Sequence, residues 1–382
     1  MNNVNTPQEG TATIKMVQNY LTAHYLFKYN ASTCRLLFKP VESEADFQYL
    51  TDYDFNSILK NVKSANISCS KDLLRTVLFS DYVESFDPYG SFFSSLPAWD
   101  GIDYVARLAD TVITTDPEHW KFCLKKWLVA MVASLMKKDV VNQTAIIFSG
   151  PQGIGKTRWF HSIIPPCLRE FIFEGCIQMN DKETEIKLSE CILILMDELE
   201  NVSAKNIDSL KMLMTKKYIY MRRSFHYTSE SYVRRASFAG TINKKEFLCD
   251  LTGNRRFLCF DVLDINTEHD IPLDQLYAQL VHLYQSGFQY WFDKKEIEIL
   301  NEKNIAFRMI SPEEEALSSC FEPCKIGEET GFYTTTEILQ LLTQKTNVSP
   351  LSIQNLGKVL REMNFRRVKK KDRYGYLVKE KK

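Results

Sequence analysis

Thr144-Ala145-Ile146-Ile147-Phe148-Ser149-Gly150-Pro151-Gln152-Gly153-Ile154-Gly155-Lys156-Thr157 is the stretch on which the fold turns. Its first six residues are apolar and β-prone, which predicts a buried strand. The next eight match the phosphate-binding loop G-x-x-x-x-G-K-[ST] without a mismatch. The glycines let backbone N–H groups curl around a triphosphate with no Cβ in the way. Lys156 is placed to reach the β- and γ-phosphates, and Thr157 to offer its hydroxyl to Mg²⁺. Gly150, Pro151, Gln152, Gly153, Ile154, Gly155, Lys156, Thr157 and Arg158 are therefore the expected ATP-binding residues. Thr157 to Ile164 predicts a helix whose N-terminal dipole faces the phosphates. Strand, loop and helix in that order predict an α/β fold with a P-loop NTPase core.

Downstream, three more segments complete a constellation. Ile192-Leu193-Ile194-Leu195-Met196 reads as a buried strand ending in Asp197-Glu198. Asp197 is expected to hold the Mg²⁺ shell and Glu198 to polarise the attacking water. Phe238-Ala239-Gly240-Thr241-Ile242 is a small apolar strand that delivers Asn243, whose amide can orient that water or touch the γ-phosphate. Leu251-Thr252-Gly253-Asn254-Arg255-Arg256-Phe257 then sets two arginines on a turn before another strand. Phosphoryl transfer gains from a guanidinium against charge developing on the γ-phosphate, often supplied by a neighbouring subunit. Lys156, Glu198, Asn243, Arg255 and Arg256 are thus the candidate catalytic residues, with Thr157 and Asp197 the candidate Mg²⁺ ligands. Arg222-Arg223 and Arg234-Arg235 are further arginine candidates, against the plainer reading of surface salt bridges.

The 382 residues allow two or three domains of about 100–200 residues each. An apolar fraction of 45% and a charged fraction of 25% are those of an ordinary soluble globular protein. Basic and acidic residues balance at 48 each, so no global field draws nucleic acid and any DNA-binding surface has to be local. No apolar run reaches about 18 residues, which argues against a membrane span. Met1-Asn2-Asn3-Val4-Asn5-Thr6 lacks the basic and apolar regions of a signal peptide, and a cytoplasmic location is expected. Ten cysteines are scattered along the chain, and only Cys320 and Cys324 lie close together, with no nearby His or Cys pair to complete a metal site. Reduced, mostly buried thiols are expected.

The pattern divides the chain into a mainly helical N-terminal domain (1–88), a helical lead-in (89–140), the P-loop core (141–265), a helical lid or linker (266–325) and a basic C-terminal module (326–382). Within the first, Tyr25–Asn30 and Arg35–Phe38 allow a hairpin as the alternative to helix. In the last, Thr334-Thr335-Thr336-Glu337 reads as a capping box, a second helix follows Ser349-Pro350, and Phe365–Val368 and Tyr374–Val378 alternate like two strands. Helix, helix and hairpin are the ingredients of a winged helix, whose second helix enters a major groove while the hairpin grips phosphate. Arg366, Arg367, Lys369, Lys370, Lys371 and Arg373 against Asp372 alone make a local positive patch, the candidate DNA-binding surface. The plainer reading is a solvated basic tail or a protein-docking module.

From Gly150 to Phe257 the sequence resembles the virulence-associated protein E family of phage and mobile-element ATPases, related to superfamily 3 helicases within the AAA+ class. The matching pieces are the loop, Leu195-Met196-Asp197-Glu198-Leu199-Glu200, Tyr220-Met221-Arg222, Gly240-Thr241-Ile242-Asn243 and Gly253-Asn254-Arg255-Arg256-Phe257. Ser95-Leu96-Pro97-Ala98-Trp99-Asp100-Gly101 resembles the family's lead-in, so the likeness spans roughly residues 90–265. The resemblance implies a homo-oligomeric ring, a hexamer, with ATP at subunit interfaces, an arginine contributed in trans, and action on single-stranded or forked DNA. Arg222-Arg223-Ser224-Phe225 departs from the family in lacking a proline after the first arginine. Residues 1–90 show no carboxylate cluster of the polymerase type, so priming is left to a separate partner. The expected function is an ATP-driven DNA helicase or translocase in replication or mobilisation of a mobile element. The alternative is an ATP-dependent DNA-binding switch, regulatory or defensive, without unwinding. A nucleotide kinase is disfavoured, for no lid-like arginine cluster is evident.

Overall fold

The computed structural model describes residues 7–178, 181–223, 228–248, 254–324, 331–346, 350–370 and 372–381. Gly253, Lys371 and the segment from Ser224 to Phe225 lie outside them.

The N-terminal part runs α1 (Pro7–His24), β1 (Tyr25–Asn30), β2 (Arg35–Pro40), β3 (Gln48–Tyr49), α2 (Asp52–Ser64), α3 (Lys71–Leu78) and β4 (Ser85–Phe86). The hairpin forms because Asn30 turns its own chain: its Oδ1 accepts the N–H groups of Ser32 and Thr33 at 2.9 and 3.1 Å. The sheet order is β3-β2-β1-β4. Tyr25, Phe27, Tyr29, Leu36 and Phe38 share one face and pack with Val17, Leu21, Ile58, Val62 and Leu74 of the helices. A domain read from sequence as mainly helical is therefore a three-helix layer on a small sheet.

The centre follows with α4 (Pro88–Ser95), α5 (Tyr104–Ala109), β5 (Val112–Thr114), α6 (Pro117–Met136), β6 (Ala145–Ser149), α7 (Lys156–Ser162), β7 (Ile172–Glu174), α8 (Lys182–Glu190), β8 (Leu193–Met196), α9 (Ala204–Thr215), β9 (Tyr218–Met221), β10 (Glu230–Val233), β11 (Ser237–Ile242) and β12 (Phe257–Ile265). Six strands align as β5-β12-β6-β11-β8-β7, parallel except at β5. The unbroken apolar runs seen in the sequence are what a parallel sheet covered on both faces demands. Alternate residues go to opposite faces. Ile146, Phe148, Leu193 and Leu195 meet Trp120, Trp127 and Trp159, while Ile147, Ile194 and Met196 meet Ile207, Leu210 and Phe247.

α10 (Leu273–Gln285) and α11 (Lys294–Asn304) join that same core through Leu276, Tyr277, Leu280 and Leu300. The Trp99-Asp100-Gly101 stretch is a turn pinned to α10, with Asp100 N–H donating to Gln275 Oε1 at 3.1 Å and Gly101 at φ +90°. Lead-in, core and post-core helices thus share one hydrophobic interior.

The C-terminal module contains α12 (Pro312–Cys320), β13 (Phe321–Pro323), β14 (Gly331–Tyr333), α13 (Thr335–Lys345), α14 (Ile353–Glu362), β15 (Arg366–Lys370) and β16 (Arg373–Glu380). Thr334 and Glu337 close the expected capping box on α13. β16 is flanked by β14 on one side and by β13 and β15 on the other. Its core is separate, built on Leu317, Phe321, Ile338, Leu356, Leu360 and Val378. No helix among the described residues is long and apolar enough to cross a membrane. Among the described residues no two cysteines form a disulfide, and the buried ones are Cys69, Cys123, Cys191 and Cys259, so burial is less general than expected.

Candidate functional site

The loop from Gly150 to Gly155 leaves the C-terminal end of β6 and enters α7, with Gly153 and Gly155 at φ +87° and +91°. Only glycine adopts those angles without strain. At Gly150 the need is space: a Cβ there would stand 2.6 Å from Val262 O. Pro151 and Gln152 are exposed, and Ile154 packs against the core. Arg158 departs from the rest of the loop set. It is exposed and pairs with Glu268 at 3.0 Å.

Register explains why the distant motifs meet. In the parallel pairs Ile242 lies opposite Ser149 and Gly240 opposite Met196, so Asn243, Gly150 and Asp197 all emerge at the same end of the sheet. Lys156 is buried and donates to Gly150 O at 2.6 Å, Pro151 O at 2.9 Å and Asn243 Oδ1 at 3.1 Å. Burial pushes its pKa below the usual lysine value, while Glu200 and then Asp197 pull it back up. Asp197 Oδ1 accepts both Thr157 Oγ1–H and Thr241 Oγ1–H at 3.0 Å. Glu198 is exposed at φ +54°, with Asn201 Nδ2 donating to its Oε2 at 3.2 Å.

Two participants escaped the sequence reading. Thr241 was quoted only as part of a strand, yet it fixes Asp197. Glu200 is the third carboxylate of Asp197-Glu198-Leu199-Glu200; its Oε1 accepts the Asn243 backbone N–H at 3.0 Å, and its Oε2 is buried with no hydrogen-bond partner. The only signal for it was a carboxylate two residues beyond Glu198. Leu199 between them presses on β11 so closely that a Cβ on Gly240 would lie 2.4 Å from its Cδ1. The carboxylate turn and the Asn243 strand are thereby clamped together.

Arg255 and Arg256 are elsewhere. They form the turn Asn254–Arg256 at the start of β12, where Phe257 lies opposite Ala145 at the start of β6. The loop begins five residues further along β6, roughly 16 Å up the sheet at strand rise. Asn304, buried on α11, holds this turn by donating to Asn254 O and Phe257 O at 3.0 and 2.9 Å. Neither guanidinium has a carboxylate partner among the described residues, and burial with the neighbouring Arg255 charge lowers the pKa of Arg256.

The other arginines are committed to structure. Arg223 is buried, pairs with Glu190 and donates to Thr33 O and Ser32 O, stitching β9 to the N-terminal domain. Arg234 is fully buried and bonds the carbonyls of Asn142, Met214, Lys216 and Ala236. Arg235 pairs with Asp87 at 3.0 Å. Arg222 is exposed.

In the C-terminal module the basic residues that are described, Arg366, Arg367, Lys369, Lys370 and Arg373, do not share one face, and Lys371 lies outside the described residues. Arg367 and Lys369 project from one face of β15, with Tyr374 stacked 4.7 Å from the Arg367 guanidinium; Arg366 and Lys370 project from the other. Lys369 pairs with Asp372 and Arg373 approaches Glu337 at 3.8 Å. A groove of about 420 Å³ lies between α14 and this hairpin, lined by Gln354, Gly357, Arg361, Arg367 and Tyr374.

Residues 93–309 match the virulence-associated protein E-like domain. The chain belongs to that family. The match runs from within α4 through the six-stranded sheet to α10 and α11, and stops before the C-terminal module. No curated protein matches the chain in sequence. Among solved structures, the apo C-terminal region of NrS-1 (residues 305–718) aligns with a TM-score of 0.50 at 12% identity, over 96% of this chain and 98% of that one. A further apo structure of that region gives 0.48 at the same identity and the same coverages. The likeness to this virulence-associated protein E-like chain is one of overall fold.

Proposed function

We propose that the chain is an ATP-hydrolysing DNA helicase or translocase, working as a ring in the replication of a mobile element. The observation that carries the reading is the convergence of Lys156, Thr157, Asp197 and Asn243 at one end of the sheet, drawn from three separate strands.

The residues fit a nucleoside triphosphate with Mg²⁺. Gly153 and Gly155 open the loop, and the hydroxyl of Thr157 and carboxylate of Asp197 are hard oxygen donors already in contact. When bound, Mg²⁺ neutralises charge on the phosphate oxygens. Lys156 exchanges its carbonyl partners for phosphate oxygens, a favourable trade for a partly desolvated ammonium. Thr241 keeps Asp197 oriented toward Thr157. Glu198, exposed on its strained turn, takes the proton-accepting role toward the attacking water. Asn243 changes from a partner of Lys156 to a sensor of the γ-phosphate, with Glu200 fixing its backbone.

Arg256 and Arg255 are too far from their own loop to reach it, which supports a role against the nucleotide of a neighbouring subunit. The basic hairpin with α14 forms a winged-helix-like element that engages DNA backbone. The test is ATPase rate with and without single-stranded DNA, beside the oligomer size. DNA-stimulated hydrolysis by a ring with strand displacement is the expected result. Assembly and hydrolysis with no unwinding would move the assignment to a nucleotide-dependent switch.

A further inference from the structure

The N-terminal sheet has a second face that its own helices do not cover. Strand pairing puts Leu26, Lys28, Arg35, Leu37 and Lys39 on that face, with Tyr49 opposite Leu37 and Phe86 opposite Asn30. Phe47, two residues before Tyr49, falls on the same side. Leu26 is 43% exposed, and Lys28 and Arg35 are exposed too.

Cations and rings alternate across it. Lys28 Nζ lies 4.6 Å from the Phe47 ring centre and 5.9 Å from that of Phe86; Lys39 Nζ lies 5.4 Å from Phe47; the Arg35 guanidinium lies 4.0 Å from Tyr49. None of the three cations makes an ion pair within the described chain. Glu42, Glu44 and Asp46, on the connection between β2 and β3, are exposed and tied to none of them. The Tyr49 hydroxyl donates to Glu170 at 2.8 Å, which anchors one edge of the face to the central domain. Four strands at about 4.8 Å spacing carry this pattern across roughly 14 Å.

We propose that this outer face binds single-stranded DNA, with Lys28, Arg35 and Lys39 on phosphates and Phe47, Tyr49 and Phe86 under bases. The proposal rests on the DNA-directed reading above. A flexible ammonium or guanidinium resting on a ring can swing to a phosphate and leave the ring to a base, so one cluster serves both parts of a nucleotide. Duplex DNA keeps its bases stacked inside and cannot use the rings. The chemistry therefore favours a single strand, and the face lies on the opposite side of the N-terminal domain core from α1–α3.

The experiment uses the full chain without nucleotide. An oligothymidylate longer than about 16 nucleotides, carrying 5-iodouracil, is irradiated on the unaltered protein, and the cross-linked peptide is sequenced. Attachment at Phe47 or Tyr49 is expected. Cross-links confined to the C-terminal hairpin or the central domain overturn the proposal. In parallel, Lys28→Ala/Arg35→Ala/Lys39→Ala should lower affinity roughly tenfold and flatten the log–log salt slope by about 2. Phe47→Ala should weaken binding several-fold at constant salt slope, about 5-fold or more from loss of one stacked base. Unchanged affinity in both variants, at a wild-type melting temperature, overturns the proposal; an effect of the charges without any effect of Phe47 overturns the stacking. Should the triple variant misfold, the cross-link on unaltered protein still decides. Because no ATP is present, failure of the motor assignment shows up separately, as absent turnover in an otherwise DNA-binding chain.

Discussion

Arg234-Arg235 and Arg255-Arg256 look alike as sequence, yet the fold treats them in opposite ways. The first pair is consumed: Arg234 disappears under four carbonyls and Arg235 is held by Asp87. The second sits on a turn braced by Asn304, with no anionic partner among the described residues. A fixed backbone under two guanidinium groups that meet no carboxylate among the described residues is the arrangement that the proposed role in trans calls for. Dipeptide pattern cannot distinguish the two cases, because the distinction is made by which carbonyls and carboxylates the tertiary fold brings near.

The comparison can be broken most sharply at Arg256. Arg256→Ala should cut ATP turnover about a thousandfold or more if the guanidinium serves a neighbour's nucleotide. Its chemical-denaturation stability should stay within about 0.5 kcal/mol of the parent. Mixing it with a Lys156→Ala chain should restore measurable turnover, and no recovery in the mixture would remove the shared-site reading. Arg234→Met should do the reverse. It strands four carbonyls, three of them buried, and should cost at least ~3 kcal/mol in denaturant unfolding, with nucleotide affinity of the surviving folded fraction unchanged. Equal stability in the two variants would erase the contrast.

A smaller effect tests Glu200. Glu200→Ala removes the acceptor for the Asn243 N–H and should slow turnover about tenfold. Glu200→Gln keeps that acceptor and should retain most of the rate. Hydrogen exchange at the Asn243 amide should quicken only in the alanine variant. The mildest change belongs to the hairpin, where Arg367→Ala should lower DNA affinity a few-fold and the salt slope by about 1. No change there would favour a protein-docking role for the module.

Much of the fold was legible because apolar runs and glycine spacing are local signals. β6, β8 and β11 lie within a residue of where continuous hydrophobicity places them. The order of strands was not legible, since β11 enters the sheet between β6 and β8 only in three dimensions, and that placement is what brings Asn243 to Lys156. The same limit hid Thr241 and Glu200, whose partners are 44 and 43 residues away in sequence. The N-terminal sheet was readable only as an alternative to helix, because β1 and β2 are short and mixed in polarity. The basic run at 366–373 was plain in sequence, but its division between two faces follows from strand pairing and could not be.

Arg223 has a mechanical consequence. It roots β9 in the buried carbonyls of Ser32 and Thr33, so the paired ribbon of β9 and β10 is hinged on a different domain from the one that supplies its chain. Such a ribbon cannot tilt freely. A tilt of the ribbon pulls on the turn that joins β1 to β2, and the N-terminal domain moves with it. Two parts of the chain that look modular along the sequence are geared to each other through Arg223, with Arg235–Asp87 and Tyr49–Glu170 beside it.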